Sequence, residues 1–424
     1  MNESEAPGPN ARTRVRARID AVWRVESARL IAGLARMVHD VGLAEELAQD
    51  ALVAALEQWP ESRVPDNPGA WLMTTGKRRA IDRFRRDERF AAKLGDLGRD
   101  LEQEPGEPDD TLDVHFGDDL LGLMFTACHP VLAPQARVAL VLRMLGGLST
   151  KEIARAYLAS ESTMAQRIVR AKRTLTKERV RFTVPDREQL RERLDSVLEV
   201  VYLIFNEGYS ATAGDDWMRP ALCEEAQRLG RMLATLLPGE PEVHGLIALL
   251  ELQGSRAGAR LGPQGEPVLL LDQDRGRWDR LLIGRGLEAL GRAVELAAEP
   301  GPYTLQAAIA ACHARAVTAE ETDWARIAAL YEQLARRTGS PVVELNRAVA
   351  LGMAFGPEAG LRLVDELRSD PVLRDYYLLA SVRGDLLAKL GRAAEARAEF
   401  ARAAELTGNA AERTVMRERA ASTV

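Results

Sequence analysis

The chain has 424 residues, 28% of them charged, with a formal net charge of −6 at pH 7. That is long enough for several domains that each bury a core. The negative average argues against a generic nucleic-acid coat, and three cysteines (Cys128, Cys223, Cys312) without a C-x-x-C pair argue against a disulfide framework or zinc cage. No apolar run approaches a membrane span, and Arg12, Arg14, Arg16 and Arg18 precede no signal-peptide core, so a cytoplasmic protein with no membrane partner is expected.

Apolar residues recur at spacings of three and four almost throughout, and alternating runs are scarce, the best being Pro267 to Leu271. The fold is therefore expected to be all-α. Charge is uneven along it. Residues 1–184 carry 28 basic and 27 acidic side chains, whereas the remainder is acidic by seven. Within the first part the cations gather in two patches: Lys77 to Lys93 holds eight basic and three acidic residues, and Arg143 to Arg181 holds ten and three. Two separated patches suit two contacts with DNA phosphates better than one acidic protein partner.

In chain order, a basic tail (1–18) precedes a helical unit over 19–92. Residues 40–56 form an amphipathic helix with a crowded acidic face. At 67–89 Asn67 caps and Pro68 opens a second helix, on which Trp71, Leu72, Thr75, Arg78, Arg79, Asp82 and Arg86 share adjoining faces. An aromatic and a hydroxyl beside a row of arginines suit a single strand whose bases stack while cations track its backbone. The plainer reading is a core tryptophan under a solvated basic face. Residues 93–117 are rich in acids, with Pro105 and Pro108, and read as a flexible linker, since they bury too little apolar area to offset their ordering entropy.

A further unit spans 118–182. Ser149 and Glu152 form an S-x-x-E capping box for a short helix with Ile153, Ala154 and Tyr157 inward. After a turn at Leu158, Ala159 and Ser160, a second helix turns Met164, Ile168, Ala171 and Leu175 to the core. Ser162, Thr163, Gln166, Arg167, Arg170, Lys172 and Arg173 occupy its other face. A helix-turn-helix sets the start of such a helix against base edges while its Arg and Lys hold phosphates; a basic surface helix in a bundle is the alternative. Beyond a break at 183–186, Leu190 to Phe205 line one face of a helix expected to stop at Asn206–Gly208. This helix opens an extension domain over 187–300, with helical repeats over 301–424. Gly356 maps onto Gly391 and Ala359 onto Ala394, a period of 35, near the spacing of tetratricopeptide helix pairs.

The order and separation of these motifs resemble the extracytoplasmic-function group of sigma-70-family transcription factors, over about residues 19–180. The resemblance implies two sigma-type domains, regions 2 and 4, joined by the acidic linker, with core RNA polymerase and promoter DNA as partners and no cofactor or metal. By it, Asp40, Glu45, Glu46, Gln49 and Asp50 dock on polymerase. Asn67, Trp71, Thr75, Lys77, Arg78, Asp82, Arg83 and Arg86 meet the melted −10 element. Ser162, Thr163, Gln166, Arg167, Arg170, Lys172 and Arg173 read the −35 element. The turn departs from the family, which often has Gly there. Residues 202–209, 272–279 and 305–313 resemble a subgroup carrying a tetratricopeptide-like extension, a place for a regulatory protein or small ligand.

A one-component, ligand-responsive DNA-binding regulator is the alternative function. An enzyme is not expected: Cys128-His129 reads as a helix end, Cys312-His313 as core, and the glycines of 283–291 as close helix packing. The cluster Glu207, Tyr209, Asp272, Asp274, Arg275 and Trp278 is open to two readings, a small-molecule pocket or a hydrogen-bond network between domains.

Overall fold

A computed structural model describes residues 9–86, 110–157, 159–185, 187–209, 218–262 and 268–423. Among them are eighteen α-helices, three short 3-10 turns and no strand, so the fold is all-α. The β candidate at 267–271 enters a 3-10 turn at Leu270. No described helix is long and apolar enough to cross a membrane. The chain divides into two compact units, 1–201 and 202–424.

In the first unit α1 (Pro9–Val38), α2 (Val41–Ser62) and α3 (Pro68–Arg86) surround a core that includes Ile31, Leu34, Leu47, Trp59, Leu72 and Phe84. The expected tail is helical from Pro9, and Ile19 is already buried. Asp40 caps α2 by accepting a hydrogen bond from the Leu43 amide at 2.8 Å. Residues 87–109 lie outside the described residues, but α4 (Asp110–Ala127) occupies the end of the expected linker. Asp110 and Asp113 stand in its first turn, where negative charge favours a helix start. There follow α5 (Pro134–Met144), α6 (Thr150–Ala156) and α7 (Glu161–Lys177).

The next helix, α8 (Arg187–Tyr209), reaches one residue past the expected stop at Asn206–Gly208. Gly208 serves close approach: a Cβ on it would sit 2.7 Å from the Cys223 backbone nitrogen. The Cys128-His129 pair is a helix end. Ser196 of α8 donates to the Cys128 carbonyl at 2.6 Å, and burial pushes the Cys128 thiol up to about 12 against the pull of Arg137 and Arg193. Such a thiol stays protonated and inert at neutral pH.

The second unit continues with α9 (Pro220–Leu236), α10 (Pro241–Gly254), α11 (Arg280–Leu296) and α12 (Pro302–Arg315). Gly286 lets α11 lie on α10, since a Cβ there would meet Leu252 at 2.7 Å and the Ala248 carbonyl at 3.2 Å. Of the 283–291 glycines Gly286 alone has the expected packing role; a Cβ on Gly284 or Gly291 would meet nothing within 4 Å. Six helices complete the unit: α13 (Trp324–Thr338), α14 (Pro341–Phe355), α15 (Pro357–Leu367), α16 (Tyr377–Lys389), α17 (Ala393–Leu406) and α18 (Ala410–Ser422). Gly356 and Gly391, the two glycines in 35-residue register, both have positive φ (96° and 75°) just before α15 and α17. Leu361, Val364, Leu379, Leu387, Phe400 and Met416 knit these last helices together.

Candidate nucleic-acid interface

The start of α3 forms as its sequence requires. Asn67 Oδ1 accepts from the Ala70 amide at 3.0 Å, and Pro68 takes the position where an absent N–H costs nothing. Trp59, completely buried on α2, meets Trp71 edge-on with ring centroids 5.3 Å apart. The half-buried Trp71 thus has a fixed base and lines an open cavity of about 720 Å³. The same cavity collects Thr75, Arg78, Asp82 and Arg83 of the expected −10 set, and also Asp50. Arg79, Gln58 and Leu47 line it too; Arg79 belongs to the expected row of arginines on α3, whereas Gln58 and Leu47 carry no such signal. Trp59 was signalled only by its place after Ala51 and Ala55 at four-residue steps on the buried face of α2.

Two residues of the −10 set stand apart. Asn67 spends its side chain on the cap, and Lys77 does not line the cavity. The side chain of Arg86 lies outside the described residues. Arg83 pairs with Glu46 at 3.2 Å, both more than half exposed, a contact worth little in water. Arg78 and Arg79 are exposed and, among the described residues, have no carboxylate partner.

The helix-turn-helix matches its sequence closely. Ser149 and Glu152 make the reciprocal capping box, at 2.8 Å and 3.2 Å, and Ser160 Oγ accepts from the Thr163 amide at 3.1 Å. Met164, Ile168, Ala171 and Leu175 are the buried residues of α7. Leu158 lies outside the described residues, but the rest of the turn needs no glycine: Ser160 has φ −69°, and Ala159 donates to the Ala154 carbonyl at 2.9 Å. Ser162, Thr163, Gln166, Arg170 and Arg173 are exposed and Arg167 is partly so. Among the described residues no carboxylate pairs with Arg167, Arg170 or Arg173.

Glu45 and Lys172 depart from expectation. Glu45 is 3% exposed, and its carboxylate takes Arg143 Nε at 2.9 Å and Lys172 Nζ at 2.8 Å. Gln49 donates to the same carboxylate, and Thr176 of α7 donates to Asp40 at 3.1 Å. The acidic face of α2 is therefore split. Glu46 and Asp50 face solvent, while Asp40 and Glu45 are engaged by the helix-turn-helix block. A pattern of charges along one helix cannot reveal this pairing, because the partners lie about a hundred residues away.

The polar cluster of the second unit is a network. Arg275 donates at 2.8 Å to the carbonyls of His313 and Ala316 and to the Thr322 hydroxyl, clamping the end of α12. Asp274 caps its own turn, Glu207 pairs with Arg219, Tyr209 stacks on Phe205, and Trp278 is buried in the core. Asp272 is exposed. These contacts build the framework of the unit.

Comparison with known proteins decides among the readings. Residues 25–90 match the family model for sigma-70 region 2, residues 123–175 that for sigma-70 region 4, and residues 193–294 a family of unknown function, DUF6596. A probable ECF RNA polymerase sigma factor, SigI, of Mycobacterium tuberculosis is 27% identical over 198 residues, 43% of this chain and 67% of its own. The ECF sigma factor SigK of Mycobacterium ulcerans is 29% identical over 153 residues, 34% of this chain and 75% of its own. The chain belongs to the ECF group of sigma-70 factors.

This sigma factor carries regions 2 and 4 followed by a helical extension, and sigma factors are binding proteins, not enzymes. An uncharacterized protein of Rhizobium meliloti (strain 1021) is 45% identical over 389 residues, 91% of each chain, so the extension is shared with a relative over nearly its whole length. No solved structure matches the factor. Sigma factors bind core RNA polymerase and promoter DNA.

Proposed function

We propose that three helices divide the work of promoter recognition. On α2, Glu46 and Asp50 lead a polymerase-docking face that includes Asp40, Glu45 and Gln49. On α3, Trp71, Thr75, Arg78, Asp82 and Arg83 hold the melted −10 strand, with Asn67, Lys77 and Arg86 at its edges. On α7, Ser162, Thr163 and Gln166 face base edges of the −35 element while Arg167, Arg170, Lys172 and Arg173 hold its phosphates. The tetratricopeptide-like extension sets when the factor is active.

One observation carries this reading: a single open cavity gathers an anchored tryptophan, a threonine and unpaired arginines. A flipped base needs a stacking surface and a polar rim, and its backbone needs cations that are not already neutralised. The contact of Glu45 with Arg143 and Lys172 has a consequence. Lys172 reaches DNA, and Glu45 reaches polymerase, only after α2 and α7 part, so docking on polymerase opens the first unit.

Reconstituted transcription with core polymerase tests the assignment. Trp71→Ala with Arg78→Ala should abolish permanganate-reactive melting at −10 while binding of a −35 duplex persists. Normal melting by that double variant would remove the −10 assignment. For the extension, a chain ending after Tyr209 keeps α8 and its bonds from Arg137 and Ser196 intact. Unchanged promoter-specific output from it under all conditions would count against a regulatory role.

A further inference from the structure

We propose that the extension holds a binding site for a small organic monoanion, a carboxylate on a compact apolar or aromatic body, in a cavity bounded by α10, α12, α13 and α14. The cavity measures about 280 Å³ and lies wholly in the second unit. At roughly 30 Å³ per water volume it has room for about nine waters, or a ligand of about ten heavy atoms. Among the described residues no aspartate or glutamate lines it, and Arg256 is its one permanently charged residue.

Arg256 is the reason to expect an anion. It is 8% exposed, yet its Nε has no hydrogen-bond partner, and among the described residues no carboxylate pairs with its guanidinium. Its only partners there are the faces of Tyr209 and Trp278, each 5.9 Å away. Its neighbour Arg275, equally buried, makes three hydrogen bonds with its terminal nitrogens. The Nε of Arg275 is unpartnered too, so the difference lies in the terminal nitrogens: those of Arg275 are bonded, and those of Arg256 make no hydrogen bond among the described residues. A buried Nε–H without an acceptor is costly, and the cation–π contacts of the guanidinium offset only part of that.

The other polar groups suit a carboxylate and its body. His313 is buried with Nδ1 unpartnered; burial first, then Arg256 and Arg275, hold its pKa down to about 3, so it is neutral. Burial raises the pKa of Tyr202 and pushes that of Tyr331 up to about 12, which keeps both phenols protonated as donors. Ile309, Leu334 and Val343 supply apolar wall. One guanidinium matches the fork of a single carboxylate; the double charge of a phosphate ester calls for a cluster of cations. The inference deepens the reading of the extension as a regulatory module, and binding is measured without reference to transcription.

The test is calorimetric titration of the full chain with phenylacetate, benzoate and hexanoate, each beside its neutral amide. At least one carboxylate should saturate one site, with its amide bound about tenfold or more weaker. Arg256→Met should remove the binding without lowering the melting temperature, because it removes an unpaired buried charge; Arg256→Lys should retain weakened binding. If Arg256→Met fails to fold, Ala310→Leu, which fills the cavity and keeps the cation, must block binding instead. Failure of all three carboxylates, equal binding of acid and amide, or undiminished binding by Arg256→Met or Ala310→Leu would overturn the site. Binding with no effect on promoter-specific transcription leaves the site standing and overturns only its regulatory use.

Discussion

Among single residues, burial and pairing separate the cations into those held by the protein and those free for DNA. Arg170 is exposed and unpaired on α7. Arg170→Ala should weaken binding to all −35 duplexes alike and reduce the salt slope of log K by about 1, as expected for one lost phosphate contact. A loss confined to one base position would instead make it a base reader. His313 behaves in the opposite way, as a group that refuses its proton. Above pH 6.5 it is neutral whether folded or not. As pH falls, the unfolded chain takes up the proton near 6.5, while the folded state holds out to about 3. Stability of the second unit is therefore full above pH 6.5 and is lost below it, by up to about 1.4 kcal/mol per pH unit. His313→Gln should flatten the melting profile between pH 6.5 and 5, before carboxylates titrate; an unchanged slope there would show that His313 is not buried neutral.

At the level of elements, local signals carried the helix-turn-helix and the start of α3. Ser149, Ser160 and Asn67 each satisfy amides that a helix start leaves bare, and their bonds are those the spacing implied. Ser160→Ala should cost the first unit about 1 kcal/mol and loosen the end of α7 that presents Ser162 and Thr163. Chemical denaturation measures the first effect, and amide exchange at Thr163 the second. Gly208 marks the end of α8 to within one residue, and its lack of a Cβ also admits the close approach of Cys223. The helix end that local reasoning missed is the start of α4. The acids before α4 read as linker up to Gly117, although from Asp110 the same charges suit a helix start.

Across the first unit, one buried carboxylate holds two functional blocks together. Glu45→Gln leaves Arg143 and Lys172, each about 15% exposed, without their counter-charge. Removing one partner of a buried pair typically costs about 3–5 kcal/mol, but here the cations can return to water if α2 and α7 separate. The variant should therefore open rather than unfold. Small-angle scattering should report a larger radius, and hydrogen exchange should rise around 172–176, with helix content unchanged. No change in either would mean that the pair does not hold the unit closed.

The sequence by itself determined the helical class, the caps, the buried faces and the order of motifs that marks regions 2 and 4. These rest on residues a few positions apart, so periodicity and capping chemistry reach them. Tertiary structure alone decided which charges are free. Glu45 and Lys172 read as two outward-facing ions, and Arg256 was unremarkable among 57 basic residues. Whether a charge meets water, a counter-ion or nothing depends on what folds against it from far along the chain, and pair energies fall off over a few ångströms, not a few residues.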